Sequence, residues 1–114
     1  MRSLKDIRLS DRDRKAVEAA CRLLKEHFPV EEVILFGSKA RGDDDPESDV
    51  DLFIVSRHPL SWRERDAITD ELFQVELEHD VVLSTLIVAR SDWEDGPFSV
   101  LPVHDEIVEE GAVA

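Results

Sequence analysis

Two short apolar runs, residues 33–36 and 50–55, flank a glycine–serine pair and a polar loop, and this arrangement constrains the fold more than any other feature. Both runs are too short for an ordinary helix and rich in β-branched and large apolar residues, so they read as strands. Side chains alternate faces along a strand, so Asp49 and Asp51, at the head of the second run, point the same way. Two close carboxylates repel each other unless a cation lies between them. Oxygen-only ligation suits Mg²⁺, which is usually held by one or two carboxylates together with substrate phosphates. At Gly37-Ser38 no bulky side chain keeps the backbone from a phosphate. A helix beginning there would turn its unbonded N–H groups and the positive end of its dipole toward an anion. The Ser38 hydroxyl can add a hydrogen bond, and Lys39 or Arg41 can add charge. Together these residues outline a site for a metal-bound nucleoside triphosphate.

An Asp-x-Asp pair alone also describes a solvated strand edge, and Gly-Ser after a strand is often a simple turn. The combination at this spacing is the specific signal. A P-loop is excluded: Gly37 to Gly42 fits G-x-x-x-x-G, but Asp43 and Asp44 stand where lysine and a hydroxyl residue are required. Those acids, with the rest of the 43–48 loop, either point outward or help hold metal. Ser48 reads equally as a turn residue or as an orienting group beside the aspartates.

The remaining chain supplies the frame. Residues 1–8 are polar and read as frayed. Ser10-x-x-Asp13 is an N-cap pattern, and Val17, Ala20, Cys21, Leu24 and Phe28 share one helical stripe that Pro29 terminates. Ser61-x-x-Glu64 is a capping box opening a helix to about residue 78, with Ile68, Leu72, Val75 and Phe73 as core candidates. A third strand is expected over residues 80–83, with pairing continued through 86–88. Ser91-x-x-Glu94 fits a short capped turn around Trp93, and residues 103–110 read as a last helix between Pro102 and Gly111. Trp62 and Trp93 read as packing residues, with base stacking or a partner contact as the other reading. The order of strands and helices predicts an α/β (α+β) fold, a mixed β-sheet flanked by helices. The length of 114 residues fits one domain. Within it, residues 1–29 form an N-terminal helix packed on a core of residues 30–114.

Composition narrows the partners. The net charge is −13, yet residues 1–28 hold eight Lys/Arg against five Asp/Glu, so the acid is concentrated in the remainder. Such a chain repels a phosphate backbone, which argues against direct nucleic-acid binding. It suits a basic protein partner. No apolar run is long enough to span a membrane, and the N-terminus is charged rather than signal-like, so a cytoplasmic location is expected. Cys21 is the single cysteine and reads as a core residue, and the four histidines show no zinc spacing.

The segment Phe36-Gly-Ser-x-Ala-Arg-Gly42, followed by Ser48-Asp-x-Asp-Leu52, resembles the signature of the DNA polymerase β-type nucleotidyltransferase superfamily, and within it the minimal nucleotidyltransferase branch. The resemblance runs over residues 30–111, and a closing Ile107-Val-Glu-Glu-Gly111 is similar to the branch's usual ending. It implies two Mg²⁺ ions held by Asp49, Asp51 and a third carboxylate on a neighbouring strand, with ATP as substrate. Asp80 matches the third acid's place, and Glu76 and Glu78 are rivals only if the helix ends early. Gly37, Ser38 and Arg41 would hold phosphates, although Arg41 reads nearly as well as a surface salt bridge. The implied reaction is transfer of AMP to a hydroxyl, with Asp80 accepting its proton. The branch is commonly encoded beside an all-helical HEPN-type toxin, so the resemblance implies an antitoxin that modifies a side chain of that partner. Self-association is the other source of an acceptor site, since the chain holds no second domain for one. A non-catalytic antitoxin that neutralises a basic partner by contact is the alternative.

Overall fold

A five-stranded mixed sheet ordered β1–β5–β2–β3–β4 forms the middle layer, and helices cover both of its faces. The computed structural model describes residues 1–43 and 45–114. In chain order these are β1 (Arg2–Ser3), a 3₁₀ turn (Leu4–Asp6), α1 (Asp11–His27), β2 (Val30–Phe36), α2 (Gly37–Arg41) and β3 (Val50–Ser56). Then come α3 (Trp62–His79), β4 (Leu83–Ala89), α4 (Arg90–Glu94), a second 3₁₀ turn (Pro97–Val100), α5 (Pro102–Glu110) and β5 (Ala112–Val113).

The apolar runs become central strands because both of their faces are buried. Val33, Leu35, Leu52 and Ile54 pack under α1 and α3, against Val17, Ala20, Leu24, Ile68 and Leu72. Ile34, Phe53, Val55 and Val88 face the other way, onto Ile107, Trp93 and Phe98. β2 and β3 are antiparallel, whereas β3 and β4 are parallel and joined through α3. The long helices start where side chains satisfy their first N–H groups. The Ser10 hydroxyl accepts from the Asp13 N–H, and Ser61 and Glu64 form the reciprocal capping box.

Four local expectations change. Residues 1–7 are tied down: β1 pairs in parallel with β5, and Leu4 and Ile7 are buried in the core. The strand after α3 begins at Leu83 rather than at 80, because Asp80 is the left-handed C-cap of α3 and the Val81 N–H returns to the Glu76 carbonyl. Phe73 and Trp62 are exposed, Trp62 lying against the Arg63 guanidinium. Trp93 does pack, its ring against Phe53, Phe98 and His104. Finally, α4 starts at Arg90 with Ala89 as its N-cap, so Ser91 does not cap it.

Candidate nucleotide and metal site

The site forms where β2 runs into α2 without a connecting loop. β2 ends at Phe36, and the antiparallel register sets Asp51 of β3 directly opposite it. Asp51 therefore lies beside the strand-to-helix corner at Gly37. That corner requires glycine twice over. Gly37 has φ +74°, and a Cβ there would stand 2.2 Å from Asp51 Oδ2. Gly42, the left-handed C-cap of α2 at φ +83°, has no atom of the described residues within 4 Å of its would-be Cβ. We expect Gly42→Ala to cost about 1 kcal/mol of backbone strain. Gly37→Ala should cost about 2 kcal/mol or more, because the methyl also displaces the carboxylate. Urea unfolding of the two variants reads the difference directly, and equal losses would sink the argument.

Asp51 lies on the sheet face that carries Phe53 and Val55 toward α5, and Asp49, just before β3, is near enough for its charge to act on it. Asp49 is exposed and Asp51 half-buried. Burial pushes the Asp51 pKa up, and the Asp49 charge pushes it the same way. A hydrogen bond from the Ser84 hydroxyl and the Arg41 charge work against the rise, while Glu106 adds to it. An aspartate whose folded pKa is raised favours the fold when protonated. That contribution is complete below the ordinary aspartate range and is lost as pH rises through the raised value. Asp51→Asn should therefore be more stable than wild type at pH 7 and similar to it in strong acid. Thermal melts without added metal at the two pH values test this, and a destabilised variant at pH 7 would contradict it.

Gly37 is buried and Ser38 half-buried at the start of α2, beside Asp51. Lys39 does not reach outward: it is 1% exposed, with its Nζ 2.8 Å from Asp13 Oδ2 of α1. Sequence reasoning missed this buried pair, which only the packing of α1 over α2 creates. Arg41 is bound by three carboxylates, Asp43 at 3.3 Å, Glu106 at 3.4 Å and Glu110 at 3.1 Å. Ser48 serves its turn, donating from its hydroxyl to the Asp45 carbonyl at 2.7 Å. Asp45 in turn accepts from the Glu47 N–H, and Asp44 lies outside the described residues.

Asp80 is exposed at φ +54°, its N–H on the Glu76 carbonyl. It lines a cavity of about 150 Å³ with Arg12, Asp13, Glu47, Ser48 and Val82. The β4 residue in register with Asp51 is Ser84. Glu76 is committed elsewhere, its Oε2 accepting from the Leu83 N–H at 3.1 Å, and both it and Glu78 lie within α3. Among the described residues no group of three or more His, Cys, Asp or Glu converges as a metal cage. The donors that do converge suit a hard cation. They are an exposed and a half-buried carboxylate that repel each other, beside a backbone corner kept clear by Gly37.

The model of the nucleotidyltransferase domain family matches residues 14–111. A Methanocaldococcus jannaschii protein, whose name provisionally makes it a protein adenylyltransferase, is 37% identical over 62 residues, which is 54% of this chain and 63% of that protein. A chain of a Shewanella oneidensis complex, described as a tri-AMPylated HEPN toxin with an MNT antitoxin, superposes with a TM-score of 0.56 at 16% identity. The match covers 89% of this chain and 70% of that one. A toxin–antitoxin complex with AMP-PNP gives a TM-score of 0.57 at 17% identity, covering 81% of this chain and 66% of the other. At these identities the structural matches speak for the fold. The chain spans 63% of the length of the curated relative and 66% of the AMP-PNP complex chain.

Proposed function

The chain belongs to the nucleotidyltransferase domain family, and from that premise we propose that it transfers AMP from Mg²⁺-bound ATP to a hydroxyl of a protein partner, as a protein adenylyltransferase. One observation carries the reading: Asp51, paired with Asp49, is packed against a glycine corner that no other residue could occupy without displacing the carboxylate. In this reading Gly37 and Ser38 receive the β- and γ-phosphates, and Asp49 and Asp51 hold the metal. Mg²⁺ bound there would neutralise triphosphate charge and stabilise the charge that builds on the α-phosphate oxygens. The chain's own contribution is positioning: a preset corner and two fixed carboxylates that need little rearrangement as the reaction proceeds. Arg41 adds positive charge at the edge of the site. Its three carboxylate partners must yield at least one donor for it to reach a phosphate.

Asp80 remains the proposed third acid, acting from the end of α3. Its left-handed backbone is one that asparagine also tolerates, so Asp80→Asn removes the charge and keeps the helix cap. We expect a loss of about tenfold in transfer rate, well short of the loss from the β3 pair. Unchanged transfer would leave Asp80 as a helix cap alone.

The acceptor is proposed to be a HEPN-type helical partner, which would make this chain its cytoplasmic antitoxin. The net charge of −13 favours a basic partner. The test is incubation with α-labelled ATP, Mg²⁺ and the product of the neighbouring gene. Label on that partner is the expected result. A second reading, neutralisation of the partner by contact, is favoured by the lack of a third metal-ligating side chain converging on the pair among the described residues. A tight, unlabelled and silenced complex would select it.

A further inference from the structure

We propose that Ser84 is the positioning residue of the carboxylate site: from β4 its hydroxyl holds the Asp51 side chain in the orientation that receives the metal. The assignment rests on the reading of Asp49 and Asp51 as metal ligands.

Two strands flank Asp51. On one side β2 offers Phe36, which has no polar atom in its side chain, and then Gly37, which has no side chain at all. On the other side the parallel register of β4 places Ser84 beside Asp51. Residues in register on neighbouring strands project from the same face, so the Ser84 hydroxyl lies alongside the carboxylate, placed to serve as a donor to it. Two contacts of different kinds then bracket one side chain. The Gly37 corner limits where Oδ2 can stand, and Ser84 supplies a directed donor from the opposite strand.

This matters because Asp51 has reasons to turn away. Asp49 repels it, and its surroundings are partly dry. A hydroxyl donor fixes the rotamer against that repulsion before any cation arrives, so less ordering is needed on binding. Hydrogen-bond partners of metal ligands act in this way in general, and their loss weakens metal affinity about tenfold or more. Ser84 is itself exposed, near the start of an edge strand, so its replacement leaves the core untouched.

The experiment measures Mn²⁺ binding from the electron paramagnetic resonance signal of unbound Mn²⁺, with a non-hydrolysable ATP analogue present and no partner protein. Wild type, Ser84→Ala, Ser84→Thr and Asp51→Asn are compared, with thermal melts as the folding control. We expect Ser84→Ala to bind Mn²⁺ about tenfold more weakly while still melting as a folded protein. Ser84→Thr, which keeps the hydroxyl and suits a strand, should restore affinity. Wild-type affinity in Ser84→Ala, or a Ser84→Thr variant as weak as Ser84→Ala, overturns the assignment. Weakened binding in Asp51→Asn beside intact Ser84→Ala overturns only the role of Ser84. Undiminished binding in Asp51→Asn overturns the metal-site reading and this assignment with it.

Discussion

Replacing Asp49 and Asp51 together by asparagine is expected to abolish AMP transfer and leave a folded protein. Asp49 stands just before β3 and Asp51 near its start, the first exposed and the second half-buried. Asparagine keeps their shape but removes both negative charges that would hold a divalent cation. Loss of electrostatic stabilisation at a reacting centre typically costs 10²–10³ in rate for one group. For both ligands we expect about 10³-fold or more, equivalent to roughly 4 kcal/mol of barrier. Folding should not suffer, since relieving the Asp49–Asp51 repulsion and the burial of the Asp51 charge favours the native state. The measurement is label transfer from α-labelled ATP alongside a urea melt. A variant that stays active would remove the aspartates from the chemistry. One that is inactive because it is unfolded would refute the electrostatic account of Asp51.

Lys39→Met is expected to be the most destabilising single change in the chain outside the apolar core. Lys39 and Asp13 face each other at 2.8 Å, their side chains 1% and 5% exposed. Removing the ammonium leaves the Asp13 carboxylate buried beside α2 with, among the described residues, the more distant Arg12 guanidinium at 3.6 Å. Breaking a buried pair from one side costs about 3–5 kcal/mol. The Asp13 backbone N–H is bonded to Ser10, so the helix cap does not depend on the carboxylate. Asp13→Leu combined with Lys39→Met should therefore recover most of the loss, because two apolar side chains fill the space without a stranded charge. Urea midpoints for the two singles and the double close the cycle. A double variant no better than Lys39→Met would show that the pair is not what holds α1 to α2. Because α2 begins at Gly37, loosening that contact should also impair transfer, even though Lys39 does not face the site.

Much of the site was legible because it is local. The apolar runs at 33–36 and 50–55 favoured strands by their length and β-branched content, and the structure extends them to Val30–Phe36 and Val50–Ser56. Alternation predicted one face for Asp49 and Asp51, and β3 begins between them, at Val50. Caps at Ser10 and Ser61 were visible because a hydroxyl and the N–H three residues later need no tertiary partner. The Ser84 contact was not legible in the same way, since nothing in the local pattern around residue 84 says which residue of β3 lies beside it. That answer depends on how far α3 runs and on the left-handed cap at Asp80, which together delay β4 until Leu83.

The sequence by itself determined the strands that build the centre, the corner at Gly37 and the carboxylate pair, because each follows from short-range sterics and side-chain alternation. The tertiary structure alone decided three things. It bound residues 2–3 into the sheet beside β5, turned Lys39 inward onto Asp13, and placed a serine of β4 next to Asp51. Each of these joins segments distant along the chain through strand register or helix packing. Such pairings minimise the energy of the whole fold, and no local stretch of residues encodes them.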